Sequence, residues 1–314
     1  MSIVSETTHD GAVAVSAPPS PDDGLSAAEL AKKYGLAVSG ARPGLAEYAR
    51  QLWERRHFIV AFSRAKLTAQ YSQAKLGQVW QVATPLLNAV VYFFIFGVLM
   101  GAHGSMSRST YIPFLVTGVF VFTFTQSSAL AGVRAIAGNL GLVRALHFPR
   151  AALPVSFALQ QLQQLLYSMI VLALLLVGFG HMPGPSWLLI LPTLTLQFVF
   201  NTGLALILAR MGSKTPDLAQ LLPFVLRTWM YASGVMYSLA DQLKKAHAPH
   251  WLIDVLGANP AAVYIDLMRF SLIDGFGANK LPPHVWALAG GWALLLGVGG
   301  FVYFWKAEER YGRG

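Results

Sequence analysis

Apolar runs separated by short polar or charged segments are the most regular feature of the sequence. No Asp, Glu, Lys or Arg occurs between Lys75 and Arg108, or between Arg150 and Arg210. A helix needs about 20 apolar residues to cross the roughly 30 Å hydrocarbon core of a bilayer, so the longer gap accommodates two crossings. The pattern therefore predicts an all-α integral membrane fold with six spanning helices, at residues 82–100, 111–131, 152–178, 187–209, 218–239 and 285–305.

The amino terminus and one internal segment follow different patterns. Residues 1–43 are rich in Ala, Ser, Pro and Thr, which predicts a disordered cytoplasmic tail before a membrane domain at 44–310. From Gly44, apolar residues share one helical face, as in an amphipathic helix on the membrane surface or a solvated helix packed on a partner. Two short gate-like helices are predicted within 250–273, at the outer interface or partly inside it, with Asn259-Pro260 starting the second.

Composition agrees with a membrane protein. Charged residues make up 12% of the 314 residues and hydrophobic residues 55%, whereas soluble domains carry about 25% charged residues. A soluble enzyme, a nucleic-acid binder and a disordered scaffold are therefore disfavoured. Most of the 23 Lys and Arg residues lie in the amino-terminal segment, the loops at 132–150 and 210–217, and the carboxyl-terminal tail. Because positive charge marks cytoplasmic loops, both termini are predicted to be cytoplasmic.

The sequence lacks the usual signatures of a reaction centre. It has no cysteine, which excludes thiolate metal sites and cysteine nucleophiles, and it contains no metal-binding motif. Its nearest approach to a phosphate-binding loop is Met211-Gly212-Ser213-Lys214-Thr215, which has no glycine at either required position. We therefore expect no cofactor in this chain and no ATP hydrolysis by it.

Polar residues inside the predicted spans fall on three helical stripes. They are Gln81, Thr84, Asn88 and Tyr92 in the first span, Ser156, Gln160, Gln163 and Tyr167 in the third, and Gln220, Arg227, Tyr231 and Ser238 in the fifth. Unpaired polar groups in hydrocarbon are costly, so each stripe faces either a neighbouring helix, as hydrogen-bonding glue, or a wet cavity. Both alternatives stay open. Arg227 has no acid within the predicted spans to pair with it, which favours a pore or substrate role.

Three segments form a more specific combination. The first is Tyr71-Ser72-Gln73-Ala74-Lys75-Leu76-Gly77-Gln78-Val79-Trp80, followed by Pro85 and Phe96-Gly97. The second is His147-Phe148-Pro149-Arg150 with Leu153-Pro154, and the third joins Trp229-Met230-Tyr231, Gly234-Val235-Met236-Tyr237 and Asn259-Pro260. Together they resemble the permease subunit of type-2 ABC exporters for polysaccharides, the Wzm-like group that exports O-antigen, capsule and teichoic acid. Ser72, Gln78 and Gly234 depart from that family's usual pattern.

The resemblance implies a homodimeric channel in a bacterial cytoplasmic (inner) membrane. Two copies of a separate ATPase subunit would drive it and would bind the ATP and Mg²⁺, and the other partners would be membrane lipids, with no nucleic acid. The implied cargo is a lipid-linked polysaccharide on a polyprenyl pyrophosphate carrier. The Ala- and Gly-rich composition suggests an actinobacterial source, for which the resemblance implies a cell-wall galactan as the cargo.

Roles for individual residues follow from the same resemblance. Loop 136–148 would couple to the ATPase through Asn139, Leu142, Val143, Leu146, His147 and Phe148. The polymer channel would include Trp80, Gln81, Asn88, Tyr92, Arg227, Trp229, Tyr231 and Tyr237. The pyrophosphate would enter by Arg50, Arg55, Arg56 and Arg64, whose alternative role is to set the positive-inside orientation.

Two other functions remain open at this stage. One is a membrane enzyme acting on polyprenyl-linked sugars, which would use Asp241, Asp254, Asp266 and Asp274, although no motif surrounds any pair of them. The other is the permease of a drug or small-lipid exporter of the same superfamily. We expect a transporter permease and not an enzyme.

Overall fold

The computed structural model describes residues 43–72, 74–99, 108–146, 148–239, 242 and 249–311, together with Ser26, 29–30 and 33–35. Over these residues the fold is helical and contains no strand, which confirms the predicted all-α class. The helices are α1 (Leu45–Glu54), α2 (Arg56–Gln70), α3 (Trp80–Tyr92), α4 (Arg108–Arg134), α5 (Leu140–Ala145), α6 (Ala152–Gly178), α7 (Ile190–Lys214), α8 (Leu218–Ala232), α9 (His250–Gly257), α10 (Pro260–Leu272) and α11 (Val285–Trp305).

Four helices of the described chain, α4, α6, α7 and α11, are long and apolar enough to cross a membrane by themselves. They pack side by side, and α7 lies against both α4 and α11. The contact between α7 and α11 depends on glycine, because a Cβ at Gly203 would overlap the backbone of Leu296. Small residues let membrane helices approach this closely, so the pair forms the tightest part of the bundle.

The first and fifth predicted spans differ from the long helices. The first runs as α3 with Pro85 inside it and continues as a π-helix, Phe93–Leu99. The fifth was predicted to reach residue 239, which is wrong: α8 has 15 residues and ends at Ala232. The chain turns there because Gly234 adopts a φ of +64°, and the turn that follows is held by a side chain from α10.

The bundle has two ends, which we name after the buried charged residue at each. The Glu308 end carries 43–60, 135–151 and 306–311, and the Arg269 end carries 179–186, 233–239 and 273–284. The two short helices predicted within 250–273 are present as α9 and α10, and Asn259 caps α10 by accepting from the Ala261 amide at 3.2 Å. We expected them at an interface, but α10 is buried along most of its length between α4 and α11.

The predicted amphipathic helix is present as α1 and α2, which meet at a break at Arg55. Tyr48, Ile59 and Leu67 are buried on its packed side, as an apolar face requires. Residues 1–41 form a separate unit within the segment 1–43 that was predicted to be disordered. In it, Ser26 and Glu29 form a capping box, because the side chain of each accepts from the backbone amide of the other. Most of that segment lies outside the described residues.

Candidate functional site: polar cavities beside α6

The polar stripe of α6 is divided between helix contacts and open space. Gln163 Nε2 donates to Ser63 Oγ at 3.2 Å, and Gln160 Nε2 donates to Gln70 Oε1 at 3.4 Å. Both bonds join α6 to α2, as the glue alternative requires, but the buried Oε1 of each glutamine has no partner within the described residues and Gln163 also lines a cavity. Tyr167, at the far end of the stripe, lines the same cavity.

The neighbouring face of α6 borders a cavity of about 180 Å³, which we call the amide cavity. It lies where α3, α4 and α6 meet, beside the carboxyl-terminal end of α2. Its polar lining residues are Gln70, Tyr71, Thr84, Asn88, Thr123, Ser127, Gln161, Gln164 and Ser168. Sequence analysis had placed Thr84 and Asn88 on a stripe, but it did not select Thr123, Ser127, Gln161 or Gln164.

Hydrogen-bonding capacity in the amide cavity is largely unused. Gln164 Nε2 donates to the Gln81 carbonyl at 2.8 Å, but its buried Oε1 accepts from nothing within the described part of the chain. Over the same residues, the side chains of Thr84, Asn88, Thr123 and Gln161 form no hydrogen bond. Thr84, Asn88 and Thr123 are exposed in the single chain, so these groups are accessible to water or a ligand.

A second space, the Arg64 cavity, adjoins the first. It measures about 440 Å³ and is lined by Arg64, Leu67, Thr68, Gln81, Gln163, Leu166 and Tyr167. Because the Gln81 carbonyl accepts from Gln164, the walls of the two cavities share one hydrogen bond. A guanidinium beside amides and hydroxyls offers the donors that bind phosphate oxygens.

The other three arginines proposed for pyrophosphate entry lie away from this cavity. Arg50 pairs with Glu47 at 3.0 Å on the exposed side of α1, and Arg56 lies over the ring of Trp53. Arg55 is exposed at the break between α1 and α2. Of the four, Arg64 alone lines a described cavity.

The proposed channel residues do not form one continuous surface within a single chain. Gln81 and Asn88 line the two cavities, and Trp80 is half-buried at the start of α3, but the side chain of Tyr92 lies outside the described residues. Arg227 and Tyr231 are exposed on α8.

Trp229 and Tyr237 are engaged in contacts within the chain. The Trp229 indole N–H donates to Asn259 Oδ1 at 2.8 Å, and its ring packs edge-on against Phe122. The Tyr237 hydroxyl donates to the Tyr231 carbonyl at 2.6 Å. The Trp229 bond ties α8 to the start of α10, and the Tyr237 bond ties the segment after α8 back to that helix.

The loop proposed for ATPase docking forms the short helix α5. Val143 is buried against Tyr48 and its neighbours in this chain, and Leu142 and Phe148 pack on the same cluster, so these three residues are turned inward. Leu146 is 51% exposed and Leu140 is 37% exposed, which leaves them as the apolar side chains available to a partner. Asn139 donates to the Ala135 carbonyl, and His147 lies outside the described residues.

The largest fully buried side chain belongs to Arg269, which sequence analysis did not select. It donates to three backbone carbonyls, at 3.2 Å to Phe114, 3.1 Å to Gly234 and 2.7 Å to Val235. It also pairs with Asp266 at 3.1 Å, and its guanidinium carbon lies 3.3 Å from the centre of the Phe114 ring. Arg269 therefore joins α4, α10 and the turn after α8.

A buried polar cluster occupies the Glu308 end. The Tyr48 hydroxyl donates to Glu308 Oε2 at 2.7 Å, and the Arg150 amide donates to Glu308 Oε1 at 3.0 Å. Burial raises the pKa of the Glu308 carboxyl above its usual range, and these two hydrogen bonds oppose that shift. The cluster joins α1, the loop before α6 and the carboxyl-terminal segment.

The carboxylates considered for an enzyme do not converge in the described structure. Asp266 is paired with Arg269, whereas Asp274 is exposed beside His181. Asp241 and the side chain of Asp254 lie outside the described residues. Among the residues searched, no group of His, Asp or Glu could hold a metal ion.

Four long apolar helices and the polar cavities beside them define a multi-pass membrane protein. The family described as "ABC-2 type transporter" matches residues 57–273, and the chain belongs to that family. Membership implies a separate ATPase subunit as a partner, and it supports a transporter permease and not an enzyme.

Relatives agree with this assignment. The chain is 26% identical over 218 residues to an O-antigen export system permease protein, RfbA, of Klebsiella pneumoniae, covering 69% of this chain and 80% of the relative. It is 26% identical to RfbA of Myxococcus xanthus, over 61% of this chain and 72% of the relative. It is 24% identical to the polysialic acid transport protein KpsM of Escherichia coli, over 69% and 82%. The family resemblance seen in the sequence motifs is thereby confirmed.

Proposed function

We propose that the chain is the membrane permease of an ATP-driven exporter that moves a lipid-linked polysaccharide from the cytoplasm to the outer side of the inner membrane. Two copies would form the channel, with both termini cytoplasmic and two ATPase subunits bound there. The names of the relatives support polysaccharide export, since two are O-antigen permeases and one transports polysialic acid. The composition of the chain makes a cell-wall galactan our first candidate cargo.

The amide cavity is the observation that carries the proposal. A site for drugs or lipid tails is lined mainly by apolar side chains with few polar groups. Here three helices contribute amides and hydroxyls, and the buried Oε1 of Gln164 has no partner within the described residues. Sugar hydroxyls both donate and accept, so they can bond to every group of this kind.

The Arg64 cavity supports the lipid-linked part of the proposal. Arg64 has no carboxylate partner among the described residues, and the cavity beside it is large enough for several phosphate and sugar atoms. A carrier pyrophosphate would bind the guanidinium while the first sugars reach the amides beyond it. On this proposal, the head group and the polymer would occupy adjoining spaces.

Reconstitution of the permease with its ATPase tests the function. The two subunits are co-expressed, purified together and placed in vesicles with lipid-linked polymer extracted from the source cells. ATP should drive polymer to the opposite face, where an added glycosidase digests it, and an ATPase variant unable to hydrolyse ATP is the matched control. Polymer transport in the absence of nucleotide, or transport of a fluorescent lipid but no polymer, would contradict the proposal.

A further inference from the structure

Helix α6 carries two sets of glutamines that differ in their surroundings. Gln160 and Gln163 bond to side chains of α2, as expected for helix–helix glue. Gln161 and Gln164, one residue further on, lie on the amide cavity. The buried Oε1 atoms of Gln160, Gln163 and Gln164 all lack a partner within the described chain. The two sets therefore differ in that one also bonds to α2 side chains, whereas the other borders the amide cavity.

The cavity is uncharged and has aromatic walls. None of its described lining residues is Asp, Glu, Lys, Arg or His, and Phe120 and Phe124 form part of its surface. Hydroxyls and amides on three helices provide both donors and acceptors. Aromatic rings add broad apolar contact surface with a defined geometry. Such a lining suits a compact ligand that carries many hydroxyls and no charge.

We propose that the amide cavity is a subsite for one uncharged sugar unit of the polymer, so that the transported chain is a neutral glycan. This inference rests on the proposed function and adds a substrate class to it. The unit bonds to Asn88, Thr123 and Gln161 while Gln164 Oε1 accepts one of its hydroxyls. A translocating unit is released as easily as it is bound, because each neutral bond contributes little net energy.

An acidic sugar does not fit this lining. A buried carboxylate needs a cation or several strong donors to offset its lost hydration. None of the described lining residues is a cation, and Arg64 lines the adjoining cavity and not this one. A polyanion would therefore meet an uncompensated site at every repeat, and the cavity selects against it.

The first test removes hydrogen-bonding groups while keeping side-chain size. The variant Thr123→Val with Gln161→Leu is compared with Thr195→Val, whose hydroxyl bonds to its own helix on an exposed face of α7. In the complete exporter, the cavity variant should export native polymer roughly tenfold more slowly or worse, and Thr195→Val should match the wild type. Wild-type export by the cavity variant overturns the subsite.

The second test measures access directly and uses the lack of native cysteine. Ser127→Cys places a single thiol on the cavity, and Thr195→Cys is the matched control outside it. In the purified complex, maltohexaose should slow modification of the Ser127→Cys thiol by a neutral maleimide about tenfold or more, whereas a sialic acid hexamer should not. Equal protection by both oligomers, or protection by neither, overturns the neutral subsite.

The two proposals fail in different ways. If the wild-type complex exports polymer and both cavity tests are negative, the subsite is wrong and the function stands. If the wild-type complex moves no polysaccharide with ATP, the proposed function itself is wrong.

Discussion

Replacing Arg269 with methionine removes the side chain that joins three segments at the Arg269 end of the bundle. The arginine is 1% exposed, and its head group binds carbonyls of α4 and of the turn after α8. A second contact reinforces the same turn, where Asn259 Nδ2 donates to Ser233 Oγ at 3.0 Å. We expect the turn to lose its anchor to α4 and to keep the one at Asn259.

The expected loss in the free energy of unfolding follows from the carboxylate that the substitution leaves without a cation. Methionine fills the space but leaves the Asp266 carboxylate buried without a cation, and breaking a buried pair in this way costs about 3–5 kcal/mol. Lysine keeps the charge but has three donors and no planar group to stack on Phe114. Arg269→Lys should therefore be destabilised less than Arg269→Met, at roughly 1–3 kcal/mol.

A double substitution separates charge from packing. In Arg269→Met with Asp266→Leu, no buried charge remains unpaired, so the double variant should be more stable than Arg269→Met alone. Thermal unfolding in detergent ranks the three variants against the wild type. Amide hydrogen exchange should rise in 229–239 in Arg269→Met and stay unchanged in α7 and α11, because the loss is local.

Either of two results would contradict this role of Arg269. If Arg269→Met melts at the wild-type temperature, the buried pair contributes nothing to the fold. If exchange rises equally throughout the bundle, Arg269 is a general core residue and not an anchor for the turn.

Three further predictions concern other parts of the chain. Arg64→Gln should reduce export roughly tenfold because it removes the cation that lines the Arg64 cavity. Arg50→Gln should have little effect, since Arg50 already pairs with Glu47 on an exposed face. Equal export by both variants would argue against the entry site. Burial raises the pKa of Glu308, so the stability that it contributes is present below its unfolded pKa and lost as pH rises through the folded value. As pH rises from about 4 to 8, the melting temperature should fall less in Glu308→Gln than in the wild type. Parallel curves of melting temperature against pH for the two proteins would contradict this. Gly203→Ala should destabilise the α7–α11 contact by about 1–3 kcal/mol in thermal unfolding. Gly290→Ala should be neutral or stabilising, because the added Cβ would point into open space. Equal effects of the two substitutions would argue against glycine-dependent packing.

The long helices were predictable because hydropathy along the chain is a local property. The turn at Gly180, the proline start of α10 and the Asn259 cap also follow from short patterns of residues. The length of α8 did not follow, since an apolar run continues past Ala232. A glycine with positive φ and a side chain from a distant helix decide where α8 ends, and a hydropathy pattern records neither.

Arg227 and Arg269 also show that a hydropathy pattern does not predict which polar residue is buried. Arg227 drew attention because it interrupts an apolar run, yet it lies on the exposed side of α8 in the single chain. Arg269 lies in the short helices that were predicted at the outer interface or partly inside it, yet it is the more deeply buried of the two. The available signal was the spacing of Asp266 and Arg269, three residues apart in an otherwise apolar stretch, which places opposite charges on one helical face.

On the proposed function, the charges in the bundle can be compared with what a moving polymer requires. A charged pair such as Arg269–Asp266 holds its partners strongly, which suits an anchor and would stall a chain that must release each unit as the next arrives. Neutral hydrogen bonds each contribute only about 0.5–1.5 kcal/mol net, so a unit bound by several of them still exchanges readily. Arg269 and Glu308 are buried charged residues in hydrogen-bonded clusters and Arg64 lines its own cavity, whereas the described lining of the amide cavity is neutral. On the proposed function, a charged head group would be captured at Arg64 and the uncharged units that follow it would slide past amides.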